Sequence, residues 1–292
     1  MWVAAAVLSA VFAGITAILS KCGVKNTPSN AATAVRTSVV LLFSWGIAFA
    51  TVEYRGIAKI DAKSWTFLIL SGAATGASWL CYFKALSVGD VSKVAAADKS
   101  SVVLSVLFAV LLFADERKNV VIKLCCLVPI GVGTLLMADI KTAFKKRENS
   151  QGKSWLFFAL LSAVFAAATS ILAKAGIQNV NSNLATAIRT CVVFVFAWAI
   201  VVGKKEGRAV ASITKKDALF LVLSGLATGA SWLCYYYAVQ NGQISVVVPV
   251  DKLSILITVL FSAAVLKERL SKSAWIGLAL LATGTVFMAV LT

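Results

Sequence analysis

The sequence predicts an all-α integral membrane protein, with ten transmembrane helices arranged as two five-helix repeats of inverted topology. Three observations carry this expectation. The 292 residues are 60% hydrophobic and only 14% charged. An average soluble domain carries about 25% charged residues, so a soluble chain of this make-up could not cover its own surface. Next, ten apolar runs approach the roughly 20 residues that cross a bilayer at about 1.5 Å per residue. Finally, the first half of the chain returns in the second half at a fixed offset.

In chain order the runs are Trp2–Ser20, Ala31–Val52, Trp65–Leu86, Val91–Phe113 and Asn119–Ala138, then Ser154–Ala173, Leu184–Val202, Ala218–Val239, Ile244–Leu266 and Ser273–Leu291. None has the ten-residue alternation of a barrel strand. The first run has no basic leader and no small-residue cleavage site. It also has a close copy at Ser154–Ala173, so it reads as a mature helix and not as a signal peptide.

The repeat is explicit. LSAVFAGITAILSKCGVKNTPSNAATAVRT starts at Leu8, and LSAVFAAATSILAKAGIQNVNSNLATAIRT starts 153 residues later at Leu161, with about 19 of 30 positions identical. LSGAATGASWLCY from Leu70 and LSGLATGASWLCY from Leu223 keep the offset, as do Asp98-Lys99 and Asp251-Lys252. A register slip follows between Glu116-Arg117 and Glu268-Arg269. The expected division is 1–140, a basic linker 141–153, and 154–292. Five crossings is an odd number, so the second copy enters from the opposite face, an arrangement seen in secondary transporters.

Charge sets the orientation. The chain carries 28 Lys and Arg against 12 Asp and Glu, a net +16. Let side A be the face of the N-terminus and side B the other. The connections hold about 7 cations on side A and about 17 on side B. The positive-inside rule then makes side B cytoplasmic and puts both termini outside a plasma (inner) membrane. The linker KTAFKKRENSQGK reads as an anchor for anionic lipid, and no nucleic-acid partner is expected. The chain has no histidine, which removes His-based acid–base, nucleophile and metal chemistry. The six cysteines lie in or at the ends of apolar runs without a CxxC and read as small buried hydrophobes. Neither cofactor nor metal is expected.

Each copy resembles one EamA-type unit of the drug/metabolite transporter superfamily. The resemblance lies in a first helix ending in Lys21 or Lys174 and an Ala-x-Arg-Thr stretch holding Arg36 or Arg189. A Gly-rich third helix follows, then the Glu116-Arg117 or Glu268-Arg269 turn and a Gly-containing fifth helix (Gly131 and Gly133; Gly277 and Gly284). The chain looks like a fused pair of such units. The resemblance implies a membrane carrier for a small-molecule substrate that works by alternating access, as a single chain and not as an enzyme. It also implies both termini inside, opposite to the charge count.

Charge within a span is costly and therefore a functional pointer. Lys21, Arg36, Asp98 and Lys99 fall near side B, with Arg36 about 7 Å and Asp98 about 10 Å into their helices. By the repeat, Lys174, Arg189, Asp251 and Lys252 fall near side A. Two related clusters could serve as the two gates of an alternating carrier. Adjacent Asp and Lys cannot face each other on a helix, so the expected pairs are Arg36 with Asp98 and Arg189 with Asp251. The alternative is that the lysines snorkel to head groups while the pairs are structural. Each cluster sums to +2, which favours an anionic or zwitterionic metabolite, such as an amino acid or organic acid. If protons are coupled at all, Asp98 and Asp251 are the carboxylates that would carry them, although a close Arg would oppose the raised pKa this needs.

Ser71, Thr75, Ser78 and Tyr82 share one helix face, and Ser224, Thr228, Ser231 and Tyr235 repeat it. These stripes read as cavity lining or as interhelical glue. Trp79 and Trp232 lie mid-helix, where they would stack on substrate or simply pack. Gly72-x-x-x-Gly76 and Gly225-x-x-x-Gly229 read as helix-packing sites. Pro249 withdraws a backbone donor two residues before Asp251, as a discontinuous binding helix would require; the first copy has Ala96 there. The competing functions are an uncoupled facilitator or channel, an exporter of neutral or cationic compounds, a membrane scaffold, and an intramembrane enzyme that would lack its catalytic groups. The orientation is testable: a cysteine placed beside either terminus is expected to react with a membrane-impermeant maleimide on intact cells. Reaction only after lysis would reverse it.

Overall fold

In hydrocarbon each backbone N–H and C=O must be satisfied within its own segment, so apolar runs of this length fold as helices. A computed structural model describes residues 1–23, 27–88, 94, 100–137, 154–264 and 271–292, with the backbone alone at 21–23, 86–88, 154 and 262–264. Its first-copy helices are α1 (Trp2–Gly23), α2 (Ser29–Ala50), α3 (Ala62–Val88), α4 (Ser101–Leu112) and α5 (Val120–Met137). The second copy gives α6 (Ser154–Gly176), α7 (Ser182–Gly203), a short α8 (Gly207–Ala211), α9 (Lys215–Asn241), α10 (Ile244–Lys252), α11 (Ser254–Ala264) and α12 (Lys272–Leu291). Among the described residues nine spans are long and apolar enough to cross a membrane, with α10 and α11 counted as one and α4 a shorter apolar helix. The ends are set by local chemistry. The Thr214 hydroxyl accepts from Asp217 N to start α9, and Ser271 does the same for α12 from Ala274 N. Asp61 accepts from Ser64 N at the start of α3. Hydrogen bonds from Ser64 hold its exposed carboxyl below the usual carboxylate range.

Helices pair across the two copies, and the pairs fix their directions. Going up α3, Ser71 meets the Thr169 carbonyl at 2.6 Å and Thr75 the Thr169 hydroxyl at 3.3 Å. Ser78 then meets Ser162 at 3.2 Å, so α3 and α6 are antiparallel. Ser9, Thr16 and Ser20 of α1 meet Ser231, Thr228 and Ser224 of α9 at 3.0–3.3 Å in the same sense. Between α2 and α7, the Trp45 indole donates to Cys191 Sγ and the Trp198 indole to Ser38 Oγ. Gly133 of α5 lies on Gly277 of α12, and Gly284 lies on Ile130. The helices α2 and α7 are the same member of each copy, as are α5 and α12. Each pair is antiparallel, so the copies are inverted.

Repeat-related clasps tie α2 and α7 at both faces. Asn30 donates to Glu206 at 2.8 Å, and Asn183 to Glu53 at 3.2 Å. Val52 and Lys205, one repeat apart, both take the left-handed backbone region just past these helices. Outward faces are apolar and exposed, as at Leu42, Val121, Val202 and Val290, which suits a lipid-facing belt.

Two expectations need adjustment. The fourth helix of the second copy is interrupted, but at Leu253, four residues beyond Pro249. Pro249 itself is kept within α10, as the sixth of its nine residues. Of the described cysteines, all free, Cys125 is exposed and only Cys126 is fully buried. Asp98, Lys99, the linker 141–153 and the Glu268-Arg269 turn lie outside the described residues, as does the Lys21 side chain.

At the glycine crossing of α5 and α12 the two backbones lie against each other. A Cβ on Gly133 would sit 2.5 Å from the Gly277 carbonyl oxygen, and one on Gly277 would sit 2.6 Å from that of Gly133. Gly133→Val and Gly277→Val should each lower stability by about 1–3 kcal/mol or more, as overpacking does. Gly46, with nothing within 4 Å of a Cβ, should accept alanine. Melting temperatures of the purified variants check the order.

Candidate functional site

The second copy's charged residues fall into two separate places. The first is at side A. Glu116 lies in the 3₁₀ turn Ala114–Arg117 between α4 and α5 and is fully buried. One carboxylate oxygen takes Lys174 Nζ at 3.1 Å and the Ile244 N–H. The other takes Ser245 Oγ at 2.6 Å, Ser245 N at 3.3 Å and Lys123 Nζ at 3.3 Å. Lys123 is fully buried and also donates to the Glu116 carbonyl at 2.8 Å. Lys174 adds Asp115 at 2.7 Å, the Gly242 carbonyl at 3.2 Å and the face of Phe113 at 5.2 Å. Two carboxylates meet two ammonium groups, and the anion also caps the N-terminus of α10, where the helix dipole favours negative charge.

Nearer the centre is a cavity of about 250 Å³. Its walls are Thr75, Ser78 and Trp79 of α3, Ala166, Thr169 and Ser170 of α6, and Ser231, Trp232, Tyr235 and Tyr236 of α9. Ala13 of α1 and the Asp251-Lys252 pair at the end of α10 complete it. Ser9 Oγ donates to Asp251 Oδ1 at 2.7 Å, and Ser170 and the Tyr235 hydroxyl lie 2.8 Å apart. Lys252 is exposed and, with Ala13, also belongs to a larger, mostly apolar cavity of about 390 Å³ on its side B flank, between α1, α5, α11 and α12.

Arg189 lies behind the central cavity, 1% exposed. Its Nε donates to Ser71 Oγ at 2.9 Å and its Nη2 to Thr75 at 3.4 Å, and its guanidinium sits 4.0 Å over the Tyr236 ring. Its Nη1 has no hydrogen-bond partner. The expected Arg189–Asp251 ion pair is therefore not formed among the described residues, because hydroxyls and a ring face satisfy the one and Ser9 the other. Arg36 donates to Ser20 Oγ at 3.2 Å, and its expected partner Asp98 lies outside the described residues.

The structure brings Trp79, Trp232, Tyr235, Asp251 and Lys252 around one cavity. It does not bring Lys174 or Tyr82 there. Tyr82 packs beside Ala85, Val94 and Ala159. Lys174, with Lys123, is balanced by Asp115 and Glu116, so the +2 expected of this cluster is reduced to the +1 of Arg189, Asp251 and Lys252. The serine and threonine stripes serve both as interhelical bonds and as cavity wall. Gly72 and Gly76 lie against Val192 and Phe196 of α7, and Gly225 and Gly229 against Val39 and Phe43 of α2.

Sequence reasoning overlooked Lys123 and Glu116. The signal was present, since Lys123 sits inside an apolar run, seven residues after Glu116. It was passed over because both fall near a helix end, where charges are usually solvated.

The model of the EamA-like transporter family matches residues 1–138 and again 153–290. A Sinorhizobium protein named "Uncharacterized transporter in cobO 3'region" is 45% identical over 138 residues, which are 47% of this chain and 98% of that protein. That relative is thus as long as one copy. A crystal structure of another protein, 14% identical, has the same fold, with a TM-score of 0.79 over 100% of this chain and 99% of that one.

The Arg189 geometry makes a prediction. Ser71→Ala leaves a buried guanidinium N–H unpaired, at about 1–3 kcal/mol. Ser224→Ala, its repeat equivalent, removes only the Ser20–Ser224 contact from the described set. The first should lower the melting temperature of the purified protein more than the second, and the reverse order would contradict the assigned bonds.

Proposed function

The chain belongs to the EamA-like transporter family, and from that premise we propose that it is a secondary transporter moving an anionic or zwitterionic small metabolite across the plasma membrane by alternating access. The observation that carries this reading is the cavity between the inverted copies, where two tryptophans and two tyrosines meet Asp251 and Lys252 at the end of an interrupted helix. Aromatic walls exclude water and stack on an apolar solute body. Lys252 supplies an ammonium for a carboxylate, Asp251 a carboxylate for an amine, and the unpartnered Arg189 Nη1 adds positive potential behind them. Secondary carriers place substrate where half-helices end near the bilayer midplane.

In this reading the cavities on the side B flank of α10 form the open half of the pathway, and the buried ion cluster at side A forms the closed half. Side B is the cytoplasmic face on the cation count, and the basic linker 141–153 joins the units 1–140 and 154–292 on that face. Asp251 carries the coupling proton, since its described partner is a hydroxyl that can donate to the carboxylate or accept from the acid.

The test begins with amino acids and small carboxylates screened by thermal shift on the purified protein, because a bound solute raises apparent stability by mass action. A labelled hit should then show saturable counterflow in proteoliposomes. Asp251→Asn is expected to reduce uptake driven by a pH gradient by tenfold or more while leaving the protein folded and monodisperse. Full activity in that variant would remove Asp251 from the mechanism, and flux without saturation or counterflow would mark a channel instead.

A further inference from the structure

Glu116 has no part in the solute cavity, yet its carboxylate is 0% exposed and takes five contacts from α5, α6 and α10. We propose that Glu116 is a positioning residue for transport. Its carboxylate clamps the N-terminal turn of α10 to Lys123 and Lys174, shuts side A, and thereby fixes where the far end of α10 holds Asp251 and Lys252. The inference rests on the alternating-access reading above and adds to it the element that closes one side.

The geometry is that of a short lever. The nine residues of α10 span about 13 Å, with the clamp at one end and the Asp251-Lys252 pair at the other. Beyond that pair the regular helix is interrupted at Leu253 alone, which keeps α-helical dihedrals, so the joint between α10 and α11 is a single residue. If Lys123 leaves the Glu116 carboxylate, a fully buried ammonium loses its one carboxylate partner among the described residues, a cost that favours the closed clamp. The contrast with the α2–α7 clasps is informative. Those are present at both faces at once and so cannot report which side is open.

In sequence the second copy matches the clamp only in part. Lys174 and Glu116 have counterparts in Lys21 and Glu268, but Lys123 has none. The second copy offers Ala274, Trp275 or Ile276 in the registers that the slip allows.

The test reads side-specific access and needs no solute. A single reporter cysteine replaces Ser170, which lines the cavity beneath the clamp, in a chain whose native cysteines are alanine. A membrane-impermeant maleimide is applied from either side of sealed vesicles. Glu116→Gln is expected to raise modification from side A by tenfold or more and to lower it from side B. Lys123→Met should act in the same direction by less, and Glu116→Asp should restore part of the parent pattern. Amide exchange, measured in the chain with its native cysteines, should quicken at residues 244–248 in Glu116→Gln while α2 and α7 keep their protection. A merely structural role would instead raise labelling from both sides and exchange throughout, which would overturn the proposal. So would unchanged side A access in Lys123→Met, the milder variant if Glu116→Gln does not fold. Switched labelling without counterflow would overturn the transport reading and leave the clamp as the closure of side A. Intact counterflow with unswitched labelling would do the opposite.

Discussion

A polar group within the hydrocarbon layer has to find its partner inside the protein, and this constraint organises the whole molecule. The hydroxyls of α1 and α3 cannot face lipid cheaply. They meet the hydroxyls and carbonyls of α9 and α6, each in the other copy. Because the two copies carry the same stripe, each satisfies the other, and the interface is symmetric by construction. Glycines on the same helices let α2 and α7 approach closely, and a glycine pair lets α5 lie on α12. Neither copy would bury its polar face alone.

The same constraint separates two kinds of charge. Asp115 and Glu116 neutralise Lys123 and Lys174 at side A. At the end of a nine-residue helix Asp251 and Lys252 line the central cavity, and Lys252 also lines the larger one beside it. Arg189 stands between these categories, since hydroxyls and the Tyr236 ring hold it in place without an anion of its own.

Much of this was legible in the chain. The spans, the repeat and the odd number of crossings follow from hydropathy and self-similarity, and Trp79, Trp232, Tyr235, Asp251 and Lys252 stood out as large or charged residues where only apolar ones are expected. Lys174 was singled out for the right property and given the wrong neighbours, because its partners come from a turn 58 residues away in the other copy. The sequence points to a helix interruption at Pro249, and the interruption occurs at Leu253.

By itself, the sequence determined that this chain lives in a membrane, that it is built twice, and that the two copies run in opposite directions. Those properties depend on composition and on periodicity along one chain, which need no knowledge of contacts. Only the tertiary structure decided which charges neutralise each other and which face a cavity. Ion pairing depends on distances of 3–4 Å between residues far apart in sequence, and a buried pair and an unpaired cation look alike until the helices carrying them are packed.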